Sequence, residues 1–69
     1  MFNQVSVNSS AISTVGYNDE TKALYITFRL GAEYIYPDVP QQEYINLISA
    51  SSVGRYFNEH IKQYSAKPS

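Results

Sequence analysis

Chemistry in a chain of 69 residues has few groups to draw on, and here they are one histidine, paired serines, a few carboxylates and a surplus of tyrosine. A metal site at His60 would have to be completed by carboxylates, because the chain has no cysteine to offer as thiolate. Glu59 is its one near neighbour of that kind along the chain. A half-buried histidine on a helix flank is the simpler reading. Ser51 or Ser52 with His60 and an acid can be drawn as a triad, yet all would lie along one helix or its cap, with no strained nucleophile turn. Capping accounts for the serines better. Asp19 and Glu20 are paired on a polar turn where nothing sets one carboxyl apart from the other as acid or base. The three glycines are too dispersed for a dinucleotide fingerprint or a P-loop. The residues therefore argue for no catalytic group, no metal and no cofactor, in a chain too short to enclose an ordinary substrate pocket comfortably.

Binding chemistry is better supplied. Seven tyrosines and three phenylalanines stand among the 69 residues, without tryptophan. Single-stranded RNA is read largely through bases stacked on such rings, at about 1 to 3 kcal/mol each. The formal charge of −1 provides no basic field of the kind that dominates nonspecific nucleic-acid binding, so any RNA contact has to be local. The residues that could make it are Tyr25, Tyr34 and Tyr36 as rings and Arg29, Arg55 and Lys62 as cations, with Lys22 in addition. The same groups could serve a protein partner or a second copy, through an open sheet face or an unpaired strand edge. Interaction with protein is preferred, and RNA is the alternative.

These residues need elements to position them. Ala23 to Phe28 alternates cleanly, with Leu24, Ile26 and Phe28 on one face and Ala23, Tyr25 and Thr27 on the other, which predicts a strand. Ala11 to Tyr17 is a second strand whose Ile12 and Val15 have opposite parity; Gly16 offers the bulge or close approach that would reconcile them. Asn18 to Lys22 is a turn by composition. Glu33 to Tyr36 forms a third strand, stopped by Pro37, and Pro40 suits the first position of a helix. Gln41 to Ala50 places Tyr44, Leu47 and Ile48 on one helical face. A serine then caps a second helix with a stripe of Val53, Tyr56, Phe57, Ile61 and Tyr64. Gly54 costs helix stability, for which a short distance to another backbone is the simple explanation. The predicted fold is α+β: a three-stranded antiparallel β-meander followed by two short helices packed on one face. Residues 1–9 read as a polar N-terminal arm, mobile or loosely attached as an edge, and 65–69 as a disordered tail. No apolar run approaches a membrane span or a signal-peptide core, so a cytoplasmic location is expected.

Taken together, Ser9-Ser10-x-Ile12, Gly16-Tyr17, Leu24-x-Ile26-x-Phe28-x-x-Gly31, Tyr34-x-Tyr36, Val39-Pro40, Ala50-Ser51-Ser52-x-Gly54 and Phe57-Asn58-x-x-Ile61 form a pattern that resembles the KTSC domain. That module occurs at the carboxyl end of some lysyl-tRNA synthetases and as a free-standing bacterial or phage protein. The central Tyr-x-Tyr followed by Val-Pro is its most diagnostic part, and the resemblance covers residues 9 to about 64. The family has no assigned activity. Its attachment to a tRNA enzyme implies RNA binding by neighbourhood alone.

Strand parity turns the facing of Tyr34 and Tyr36 into a binary choice. With Arg29-Leu30-Gly31 as a three-residue loop, Phe28 opposes Ala32, Ile26 opposes Tyr34 and Leu24 opposes Tyr36, and both tyrosines join the core face. With Leu30-Gly31 as a two-residue loop, Tyr25, Tyr34 and Tyr36 share the outer face as a stacking platform. Gly31, third in its loop, fits the bulged three-residue turn better. The outer face then carries Tyr25, Thr27, Glu33 and Ile35. Inward tyrosines would make Tyr34→Ala cost about 3 to 5 kcal/mol in thermal unfolding.

Overall fold

The computed structural model describes residues 2–64 and 66–68. An antiparallel sheet runs in chain order through β1 (Phe2–Ser6), β2 (Ile12–Asn18), β3 (Ala23–Phe28), β4 (Glu33–Tyr36) and a two-residue β5 (Lys67–Pro68). Two helical segments, α1 (Gln41–Ser49) and α2 (Val53–Tyr56), follow β4, and α2 continues without a break into a π-helical turn, Phe57–Ile61. The class is α+β, as expected. The meander has more strands than the predicted three, because Phe2–Ser6 pairs along β2 and Lys67–Pro68 along β4. The polar arm is thus the attached edge rather than a mobile segment, and part of the expected tail is paired. Met1, Ser65 and Ser69 from those two segments lie outside the described residues. Both additions are held through backbone hydrogen bonds, which composition does not display. Val5 facing Val15 is the only apolar pair that β1 contributes opposite β2. No helix among the described residues is long and apolar enough to cross a membrane.

The parity conflict in β2 is resolved one turn earlier than expected. Ile12 opposes Phe28 and Thr14 opposes Thr27, so the extra residue is Ser13, while Gly16 pairs regularly with Tyr25. The bulge flips the alternation between Ile12 and Val15 and sends both to the core. Asn18 organises the next turn by accepting the Glu20 N–H at 2.9 Å, and Lys22 takes the left-handed backbone at φ 60°. At the β3–β4 hairpin the Phe28 N–H reaches the Ala32 carbonyl at 2.8 Å, the Gly31 N–H reaches the Phe28 carbonyl at 2.9 Å, and Gly31 has φ 101°. This is the three-residue loop, and with it Ile26 opposes Tyr34 and Leu24 opposes Tyr36.

One face of the sheet, with Ile12, Val15, Tyr17, Leu24, Ile26 and Tyr36, packs against Tyr44 and Leu47 of α1 and Val53, Phe57 and Ile61 of the second helical segment. The other face carries Tyr25 and Thr27 opposite Ile35 and Glu33, all half-buried. Ser52 supplies the expected cap by accepting the Arg55 N–H at 3.3 Å. The π-helical turn was not expected. The Lys62 N–H bonds to the Phe57 carbonyl at 2.9 Å, and Phe57 and Ile61, four residues apart on one face, are both buried. Gly54 likewise departs from expectation. A Cβ there would meet only the Ser9 hydroxyl, at 3.5 Å, which is ordinary contact.

Tyr36 is 5% exposed and Tyr34 36%, so both share the predicted face but only Tyr36 lies within the core. Tyr34 stands at its rim, with an edge-on ring contact to Phe28 at 6.0 Å. Tyr36→Ala should therefore lower stability by about 3 to 5 kcal/mol and Tyr34→Ala by only about 1 kcal/mol, read as paired thermal or urea melts. Gly54→Ala should leave the melting temperature unchanged or raise it, by up to about 1 kcal/mol of helix propensity.

Three phenols ionise late. Burial pushes Tyr17 up, helped by the charge of Asp19. Burial does the same at Tyr36, helped by Tyr34. At Tyr56 the hydrogen bond donated to Glu43 is the main cause and burial the second. Each folded value lies above the unfolded one, so this stabilisation is complete at neutral pH and is lost as pH rises above about 10. An absorbance titration of tyrosinate should show a late phase that coincides with loss of secondary structure.

Candidate binding site

Among the grooves beside the second helical segment, two bring together residues named from the sequence. The first lies where the β1–β2 loop meets the start of α2, has a volume of about 580 Å³, and is lined by Ser9, Ser10, Ser51, Ser52, Arg55 and Asn58 among others. Several motifs separated by some forty residues in sequence converge here. Their polar groups, however, already hold the fold together. The Ser9 hydroxyl accepts the N–H groups of Ala11 and Ile12, both at 3.2 Å. The Ser9 carbonyl accepts the Arg29 guanidinium, and Ser52 caps its helix. Arg55 is paired with Glu59 at 3.3 Å. This groove reads as a joint between loop and helix.

The second groove is of a different kind. Phe28, Tyr34 and Tyr36 of the β3–β4 hairpin form one wall; Phe57, Asn58 and Lys62 of the π-helical turn and its exit form the other, with Ala66 also lining it, around about 360 Å³. The rings make a continuous edge-on chain. Tyr34 meets Phe28 at 6.0 Å, Phe28 meets Phe57 at 5.5 Å, and Phe57 meets Tyr36 at 5.8 Å. Such T-shaped contacts favour a fixed arrangement of rings over a fluid one. The π-helical turn positions the cation: because the backbone bond to Phe57 comes from Lys62 rather than Ile61, Lys62 lies one wide turn beyond that ring. Its side chain is exposed and has no acidic partner among the described residues. The site therefore offers a rigid aromatic floor, an unpaired ammonium and the Asn58 amide.

Only some of the six residues singled out from sequence meet here. Tyr34, Tyr36 and Lys62 line the groove, Tyr36 as a buried wall. Tyr25 sits on the opposite face of the sheet, across from Gly16 and Ile35. Arg29 is tied to the β1–β2 loop through its guanidinium and through its N–H to the Ala11 carbonyl at 2.9 Å. Arg55 is engaged with Glu59 on the exposed helix surface. Phe28, Phe57 and Asn58 were not among the candidates. Phe57 and Asn58 stand together in the quoted motifs, but their membership of a groove depends on the π-helical turn, for which the sequence carries no signal. His60 is exposed rather than half-buried and stacks on Tyr56 with centroids 4.3 Å apart.

The comparisons with other proteins agree with this architecture. The family model of the KTSC domain matches residues 8–64. A protein of Tsukamurella paurometabola is 39% identical over 56 residues, spanning 81% of this chain and 84% of its own. An uncharacterized protein of Stutzerimonas stutzeri is 37% identical over 59 residues, 86% of this chain and 83% of its own. The crystal structure of a KTSC domain protein from Yersinia pestis superposes with a TM-score of 0.94 at 33% identity, covering 100% of this chain and 99% of that one. With matching motifs, matching length and a matching fold, the chain belongs to the KTSC domain family.

Proposed function

We propose that this domain is a non-enzymatic binding module that takes a short protein segment into the groove between the β3–β4 hairpin and the π-helical turn. The observation that carries the reading is the placement of the unpaired Lys62 beside the half-exposed Tyr34, above a floor of Phe28, Tyr36 and Phe57. An apolar side chain seated on those rings would gain from burial, and a neighbouring carboxylate would find the ammonium. An RNA strand finds less support. One exposed ring and one cation do not make a track, Arg29 and Arg55 are engaged elsewhere, and Tyr25 is on the far face. The net charge of −1 adds no long-range attraction for phosphate. Serine and histidine chemistry is also disfavoured, since Ser9 and Ser52 accept structural hydrogen bonds and His60 stacks on a ring.

A selection from a random peptide display library, followed by titration of the selected peptide into isotope-labelled domain, tests the reading. Enriched peptides should pair an aromatic or branched apolar residue with an acid, and shifts should centre on Tyr34, Phe57, Asn58 and Lys62. Lys62→Glu should weaken the peptide about fivefold, as expected for reversing one rim charge. A selection that enriches nothing, while a single-stranded oligonucleotide shifts the same residues in a salt-dependent way, would overturn the protein reading in favour of RNA.

A further inference from the structure

The sheet ends differently on its two sides. Beyond β4 lies β5, which occupies that edge with Lys67 opposite Ile35 and Pro68 opposite Tyr34. Beyond β1 no strand follows among the described residues. The Val7 N–H bonds to the Ser13 carbonyl at 3.1 Å, and in the same register Val5 faces Val15 and Asn3 faces Tyr17. Because hydrogen-bonded pairs alternate along an antiparallel ladder, residues 3, 5 and 7 spend their backbone groups on β2. Residues 2, 4 and 6 turn theirs outward. Exposed edges in natural sheets are usually blunted by charge, proline or brevity. Here Phe2-Asn3-Gln4-Val5-Ser6 has neither proline nor charge, and no charged side chain occurs before Asp19. An uncharged groove of about 400 Å³, lined by Val5, Val7, Ile48, Ala50 and Val53 among others, runs beside this edge on the helix side. Ile45 of α1 is 41% exposed.

We propose that β1 pairs antiparallel with β1 of a second copy of this chain, about a two-fold axis through Gln4. The spacing selects that occupant. Outward-facing positions 2, 4 and 6 are symmetric about residue 4, so Gln4 meets its own counterpart and Phe2 meets Ser6 in an isologous ladder. Val5 is then brought opposite Asn3 of the other copy, next to the apolar groove. With no charged side chain from Phe2 to Val7, the outward positions neither repel an identical edge nor ask for a partner of complementary charge. The contact lies at the opposite side of the sheet from the aromatic groove and does not depend on how that groove is used.

Light scattering and sedimentation of the full chain from micromolar to millimolar concentration test the proposal. The expected result is a concentration-dependent doubling of mass, with the Gln4 and Ser6 amides gaining protection from hydrogen exchange as the dimer forms. Gln4→Pro removes an outward N–H at a site where edge proline is tolerated, and should halve the mass at high concentration, while the dilute protein still folds with a melting temperature lowered only by loss of the exposed Gln4–Thr14 side-chain hydrogen bond. Should that variant fold poorly, Gln4→Lys puts like charges across the axis and should have the same effect on mass. A wild-type chain that stays monomeric over the whole range, or a dimer that survives both substitutions, would overturn the proposal.

Discussion

Val39 is held from three directions, and the position of everything after the sheet depends on it. Its carbonyl accepts the Tyr17 hydroxyl at 2.6 Å, its N–H donates to the Lys22 carbonyl at 2.9 Å, and its side chain is wholly buried. A connection of four residues between β4 and α1 would otherwise be free to swing. Tethered to β2 and to the β2–β3 turn, it instead delivers Pro40 to the head of α1 and turns the helix back across the sheet. Tyr17 makes the same joint from below: its ring stacks on Tyr44 of α1 at 5.2 Å. A buried hydroxyl needs a partner, and here the partner it finds is the backbone that aims the helix.

With α1 so placed, the second helical segment has to close the core over the β3–β4 hairpin. It does so with Phe57, whose ring meets both Phe28 and Tyr36 edge-on. Phe57 and Ile61 lie four residues apart on one buried face, and the wide turn that starts at Phe57 carries Lys62 beyond the ring. The groove is thus a by-product of core packing that happens to place one unpaired cation beside one half-exposed tyrosine. π-helical turns recur at functional sites for such reasons, since they displace one residue from its regular path.

Much of the scaffold was legible from local pattern. Leu24, Ile26 and Phe28 alternate without fault, and the observed β3 has the predicted bounds, as does β4. Gly31 at the third loop position implied the register that sends Tyr34 and Tyr36 inward, and the pairing agrees. The edge strands were hidden, because pairing through the backbone leaves no mark in composition, and β5 is only two residues long. The bulge at Ser13 was assigned to Gly16, the one residue nearby with the conformational freedom for it; the ladder placed it where Ile12 and Phe28 both needed to reach the core.

What the amino-acid sequence determined by itself is whatever rests on neighbours in the chain: strand alternation, the turn at Asn18, the hairpin loop at Gly31, the serine cap of α2, and a composition that offers rings in place of catalytic groups. Tertiary structure alone decided exposure and company. Tyr34 and Tyr36 have the same parity, yet one is half-open and the other buried, because cover depends on where a helical segment from about twenty residues away comes to rest. Arg29 and Lys62 are both single cations in sequence, yet the Ser9 carbonyl holds the first and no acidic partner among the described residues meets the second. Periodicity carries the direction in which a side chain points; only packing across the chain says what it meets there.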